Sequence, residues 1–232
     1  MLSLDKGDFM ADSFGTIGLL GDIHGEDHYL ALVLAFLADK KVDKVCAAGD
    51  IVDGRGDVGR CCRLLMEYEV QAVAGNHDRW YLGGMMRDLF GNMVTHGLTD
   101  VEGEFIKKLP QTVEIDTQAG LGLLCHGIGE DDMFRFRPYD EGYALETNEE
   151  LQELSRSRRF KFVFGGHTHV RMVRKYGRPI FINGGTLKYD QEPGFAIVDF
   201  LDLTVQFFDI TKEEIGPAEK WTLAEGPRPI QV

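Results

Sequence analysis

Five of the seven histidines in this chain fall in short clusters with aspartate, asparagine or glycine where an apolar run stops. LLGDIHG carries Asp22 and His24, AAGDIVDG carries Asp50 and Asp53, and VAGNHD strings together Asn76, His77 and Asp78. LLCHG isolates His126, and VFGGHTHV at residues 163–170 places His167 and His169 one residue apart. Alternate residues of an extended segment share a face, so each such pair could reach a common centre. The donors are oxygen and imidazole nitrogen without thiolate. That set suits Mn, Fe, Zn, Co or Ni rather than Cu(I), and this many imidazoles disfavours Mg or Ca. Taken singly, each cluster has an ordinary explanation: an aspartate after a strand glycine caps a turn, and a lone histidine packs in a core or faces water. Five clusters in series, each at the end of an apolar run, are poorly explained in that way.

Those ends belong to recognisable elements. TIGLLGD (16–22), KVCAAGD (44–50) and VQAVAGNHD (70–78) read as buried strands, separated by helical patterns at 27–39 and 57–69. Strands joined through single helices imply right-handed crossovers and a parallel sheet. Ligands of such sheets bind beyond the strand carboxyl ends, which is where the polar clusters fall. The second half is richer in strand signals, at 111–116, 121–127, 160–166, 178–185, 194–200 and 203–210, and these could form a second sheet. Residues 128–159 read as an insertion with a short helix, for which Thr147 and Glu150 form a capping box. From Lys212 onward a polar, proline-containing tail is expected to be peripheral, and the whole of 1–232 is read as one domain.

Composition narrows the function. With 44% hydrophobic and 27% charged residues, the 232-residue chain can bury an ordinary core. Its longest apolar run, Tyr29 to Ala38, is far shorter than the roughly 20 residues a bilayer span needs. No basic segment followed by an apolar stretch opens the sequence, so a cytoplasmic location is expected. Four cysteines without CxxC spacing suggest neither a disulfide framework nor a thiolate zinc site. A net charge of −13 argues against a long track along nucleic acid, which needs cationic neutralisation. If the chain handles phosphate, something other than lysine and arginine must attract it.

The series D-x-H, GD-x-x-D, GNHD, an isolated His before Gly, and GH-x-H resembles the signature of the calcineurin-like metallophosphoesterases. Here it is Asp22-Ile-His24, Gly49-Asp50 with Asp53, Gly75 to Asp78, Cys125-His126-Gly127 and Gly166-His167-Thr168-His169. The resemblance spans about residues 16–200 and is strongest to compact single-domain bacterial and archaeal phosphodiesterases. It implies a two-sheet αββα sandwich and two divalent transition-metal ions, manganese foremost. One would be held by Asp22, His24, Asp50 and His169, the other by Asp50, Asn76, His126 and His167. It further implies hydrolysis of a phosphoester by a metal-bound hydroxide, with an inner shell left at about +1 to attract phosphate.

By the same resemblance His77 gives a proton to the leaving group, and Asp78 is expected to orient its ring. Family members often read D-R-G after GD-x-x; here Gly54 follows Asp53, so Arg55 is displaced and is only a candidate phosphate contact. Asp53 is expected to be a structural partner rather than a ligand. In the insertion, Phe134, Arg135, Phe136, Arg137 and Tyr139 could stack a base and hold a phosphate, or could simply pack their own loop. His28 is expected to be exposed, and His96 shows no partner in the sequence. The implied substrate is a small phosphorylated molecule, a phosphodiester or nucleotide. The alternatives are a phosphomonoesterase or dinucleoside-polyphosphate hydrolase on the same site, or a non-catalytic interaction module.

Overall fold

Strands that are apolar at every position need cover on both faces, and this chain provides it in four layers. The computed structural model describes residues 13–212 and 214–223. In the first half, β1 (Thr16–Leu20), β2 (Lys44–Ala47) and β3 (Gln71–Ala72) run parallel, linked through α1 (Asp27–Lys40) and α2 (Val58–Glu67). Next come α3 (Asn76–Leu82), α4 (Asp100–Lys107), β4 (Thr112–Thr117), β5 (Gly120–Cys125), α5 (Tyr143–Thr147) and α6 (Glu149–Arg156). The chain closes with β6 (Phe162–Gly165), β7 (Met172–Lys175), β8 (Ile180–Asn183), β9 (Gly194–Asp199), β10 (Thr204–Thr211) and β11 (Glu214–Thr222).

Two sheets result, a six-stranded one in the order β11-β10-β9-β1-β2-β3 and a five-stranded one in the order β4-β5-β6-β8-β7. Side-chain alternation sorts the core. Ile17, Leu19 and Cys46 meet Leu124, Phe162, Phe164 and Ile182 between the sheets. On the outer face of the larger sheet, Leu20 and Ala47 pack against Leu30, Leu34 and Leu37 of α1 and Cys61, Cys62 and Leu65 of α2. Leu123, Cys125, Val163 and Phe181 face outward from the smaller sheet onto Leu145, Leu151 and Leu154 of α5 and α6. This is the expected αββα sandwich. No helix among the described residues is long and apolar enough to cross a membrane.

Several elements differ from the sequence reading. The third strand is two residues long, because Asn76 already opens α3 with Gly75 as its cap. The later strands do not all form the second sheet: β9 pairs antiparallel with β1, so β9 and β10 extend the first. The segment expected as a peripheral tail supplies β11, which pairs with β10 as the edge strand; residues 224–232 lie outside the described ones. Helix α6 is capped by Asn148, whose side chain accepts from Leu151 N at 2.8 Å. Thr147 instead donates to Tyr143 O, so the Thr147 capping box is absent.

Candidate active site

The polar clusters converge where the two sheets present their strand ends to one cleft. Asp22 and His24 follow β1, Asp50 follows β2, and Asn76 begins α3 after β3. His126 follows β5, and His167 and His169 follow β6. Three overlapping groups each bring their potential ligand atoms within 4.8 Å of one another: Asp22, His24 and His169; His24, Asp50 and His77; and Asp50, His126 and His167. Asn76 joins the last group, with its Oδ1 3.1 Å from His126 Nε2.

The backbone is held against its preference to achieve this. His24, Asp50, Asp53, His167 and His169 all have positive φ, between 46° and 63°. Such conformations cost of the order of 1–3 kcal/mol each and persist only where surrounding contacts enforce them. The enforcing contacts are visible. Asp22 Oδ1 accepts from His167 N at 2.7 Å, and Asn183 Nδ2 donates to Gly166 O at 2.6 Å. A Cβ on Gly166 would stand 2.4 Å from Asp22 Oδ1, so this loop can cross the carboxylate only as glycine. Gly54 has a similar reason. A Cβ there would fall 1.5 Å from His24 O, so the loop leaves no room for a side chain at this position.

The hydrogen bonds fix which nitrogen of each ring faces the centre. His24 Nδ1 lies 2.9 Å from Asp53 O, and His126 Nδ1 lies 2.7 Å from Ala48 O. Carbonyls only accept, so both rings donate outward and turn Nε2 inward. His169 Nδ1 is held by Gln191 Oε1, and His167 uses Nε2 on Met133 O, which turns its Nδ1 inward. The inward-facing atoms crowd together: His24 Nε2 is 3.2 Å from His169 Nε2, and His126 Nε2 is 3.4 Å from Asp50 Oδ2. Asp22 Oδ2 is buried, lies 2.9 Å from His169 Nε2, and accepts no well-directed hydrogen bond. Converging acceptors of this kind fit a cation.

The ionisation of the chain's own groups points the same way. Burial alone would raise Asp22, but the adjacent His169 and the charge of His126 override that and lower it. Asp50 is lowered in the same manner, against burial, by His126 and His24. Burial also opposes protonation of His126, yet Asp50 and Asp22 push it up to about 10, and His169 is raised by Asp22. His24 and His167 are lowered, chiefly by burial. The two buried carboxylates thus favour positive charge beside them, and divalent ions would displace the protons of His126 and His169.

His77 projects into the same cleft, but its support differs from the expectation. Its Nδ1 meets Asp53 Oδ2 at 2.9 Å, while Asp78 is turned away beneath the loop. Asp78 accepts from Ile51 N at 2.9 Å, Val52 N at 3.1 Å and Gly75 N at 2.9 Å. The orienting role assigned to Asp78 therefore falls to Asp53; Asp78 fastens the Asp50 loop to α3. Burial and the neighbouring Asp50 charge raise Asp78 to about 7. Arg87 also reaches Asp53 Oδ2, at 2.7 Å, and Thr95 N donates to Asp53 Oδ1 at 2.9 Å.

The cleft encloses about 310 Å³, the size of a small-molecule site. Arg55 is not among its lining residues; its guanidinium lies 4.5 Å from the Tyr189 ring centre, on the exposed side. Arg135, Arg137 and Lys188 supply the lining cations. The insertion splits by alternation, with Met133, Arg135 and Arg137 on the cleft and Phe134 and Phe136 in the outer core. His28 and His96 are exposed, outside the centre. Trp80, Leu89, Met93, Lys188 and Gln191 were not singled out by the sequence. Only Trp80 carried a local signal, standing one helical turn after His77.

Residues 16–202 match the calcineurin-like phosphoesterase superfamily domain. An uncharacterised protein of Methanocaldococcus jannaschii is 21% identical over 78% of this chain and 73% of its own. A metallophosphoesterase from Sphaerobacter thermophilus superposes with a TM-score of 0.63 at 20% identity, covering 86% of this chain and 89% of that one. A hypothetical protein from Pyrococcus horikoshii superposes with a TM-score of 0.65 at 14% identity, covering 84% and 87%.

Proposed function

Because this chain belongs to the calcineurin-like phosphoesterase superfamily, we propose that it hydrolyses phosphodiester or nucleotide-type substrates with two divalent transition-metal ions, manganese foremost. Asp22, His24, Asp50 and His169 would hold one ion and Asp50, Asn76, His126 and His167 the other, with Asp50 shared. When bound, the ions supply positive charge for the phosphate oxygens and acidify a water. The observation that carries this reading is the convergence of inward-facing acceptors, with His24 Nε2 and His169 Nε2 3.2 Å apart beside a buried Asp22 oxygen.

The chain's own residues do the rest. Asp53 accepts from His77 Nδ1 and fixes the ring, so that Nε2 faces the cleft and donates its proton to the departing oxygen. Water adds to phosphorus, the bond from phosphorus to the leaving oxygen breaks, and that oxygen leaves as an alcohol. His77 then regains a proton from solvent. Arg135, Arg137 and Lys188 bind further anionic oxygens of the substrate. The same three cations favour a second reading, hydrolysis of a dinucleoside polyphosphate or a phosphomonoester, whose additional charge they could neutralise.

Metal analysis and turnover test the proposal together. Manganese-loaded protein should bind about two ions per chain, as expected for a binuclear site, and cleave bis(p-nitrophenyl) phosphate. Chelation should abolish turnover and added manganese restore it. Less than one ion per chain with no turnover would favour the non-catalytic module, and activity that survives full chelation would overturn the scheme.

A further inference from the structure

Four apolar side chains of the cleft have no place in the core; Met133 stands with the cations of the insertion, and the other three come from α3 and the segment after it. Trp80, Leu89 and Met93 line the cavity, are partly exposed, and belong to none of the three hydrophobic clusters among the described residues. They are also on one side of the chemistry. Trp80 packs on His77 with ring centres 4.9 Å apart, and Leu89 and Met93 come from the segment between α3 and α4. That segment is moored to the residue that orients His77: Arg87 pairs with Asp53 Oδ2, and Thr95 exchanges two hydrogen bonds with Asp53. The cations Arg135, Arg137 and Lys188 come from other segments, after β5 and β8.

We propose that Trp80, Leu89 and Met93 form a subsite for a planar heteroaromatic group carried by the leaving alcohol, so that the preferred substrates are phosphoesters whose leaving group bears a nucleobase-like ring. The inference rests on the proposed function, because His77 identifies the leaving-group side only if it is the proton donor. An indole face takes any flat π-system, and methionine adapts its polarisable thioether to the ring beside it. The cavity volume of about 310 Å³ suits one nucleoside rather than a polymer.

Two cyclic phosphates separate the ring from the chemistry. The 2′,3′-cyclic phosphates of adenosine and of 1-O-methylribose share the reacting phosphate and leaving oxygen and differ by the base. The unaltered protein should show a kcat/KM at least about ten-fold higher for the adenosine compound, within the range for one stacked base, and Trp80→Leu should collapse that ratio toward one. Binding gives a readout independent of turnover. In Trp221→Phe protein, whose remaining tryptophan is Trp80, AMP should quench the fluorescence saturably and ribose 5-phosphate should not. Equal kcat/KM values for the two cyclic phosphates, or equal quenching by AMP and ribose 5-phosphate, would overturn the subsite. Quenching by AMP alone in a protein that turns over no phosphoester would retain the subsite and remove the hydrolytic reading instead.

Discussion

At the scale of single residues, two neighbouring aspartates have separate tasks. Asp78 satisfies three backbone N–H groups, whereas Asp53 holds the His77 ring and the Arg87 guanidinium. If His77 protonates the leaving oxygen, its loss should matter most for poor leaving groups. His77→Ala is expected to keep its manganese while losing about 10²- to 10⁴-fold in kcat on alkyl diesters, and far less on p-nitrophenyl esters. Asp53→Asn should lose activity in the same leaving-group-dependent manner, though less severely. Asp78→Asn should lower the midpoint of unfolding without that signature. Steady-state kinetics across a series of leaving groups would check all three, and a leaving-group signature in Asp78→Asn alone would reverse the assignment.

At the scale of elements, the loops are strained where they carry ligands and stapled from behind. One staple lies where α4 joins α2. Glu102 is buried, accepts from Thr99 N at 2.9 Å in a capping box, and pairs with Arg63 of α2. The Thr99 N–H, aided by Arg63, holds its carboxyl below the usual value near 4.5. A carboxyl lowered in the folded state contributes stability above its unfolded pKa and loses it as pH falls through the folded one. Glu102→Gln is therefore expected to cost about 1 kcal/mol at pH 7, as for loss of a cap. Urea unfolding should show that gap narrowing below about pH 4.5, where the unfolded carboxyl already takes up protons. A gap unchanged down to pH 3 would show that the carboxylate charge contributes nothing.

At the scale of the whole molecule, the candidate ligands come from both sheets: Asp22, His24, Asp50 and Asn76 from one, His126, His167 and His169 from the other. Ions bound there would tie the two layers together at one rim of the sandwich, in a chain whose net charge is −13. A ligand of the native state at 100 times its Kd contributes about 2.7 kcal/mol. For a domain of this length that corresponds to a Tm higher by roughly 5–10 °C. Calorimetry of manganese-loaded and chelated protein should show that difference, and an unchanged Tm would mean that the acceptors do not share an ion across the sheets.

Much of this was legible in the sequence, because strand ends and metal donors both leave local marks. Uninterrupted apolar runs need cover on both faces, so the alternation of strands and helices already marked a parallel sheet, the five polar clusters marked its strand ends, and the resemblance those clusters carry implied the αββα layers. What sequence spacing could not carry were contacts between distant segments. That β9 and β10 return beside β1, that the segment from Lys212 supplies β11, and that Asp53 rather than Asp78 reaches His77 all depend on which strands pair and which way each loop turns. Asp78 adjoins His77 in the chain, but a helical turn points the two side chains apart, while Asp53 arrives from another strand end at 2.9 Å. The alternation of residues 133–137 and the grouping of Trp80 with Leu89 and Met93 were likewise decided by packing. Whether a half-exposed apolar side chain is surface or subsite depends on what folds opposite it.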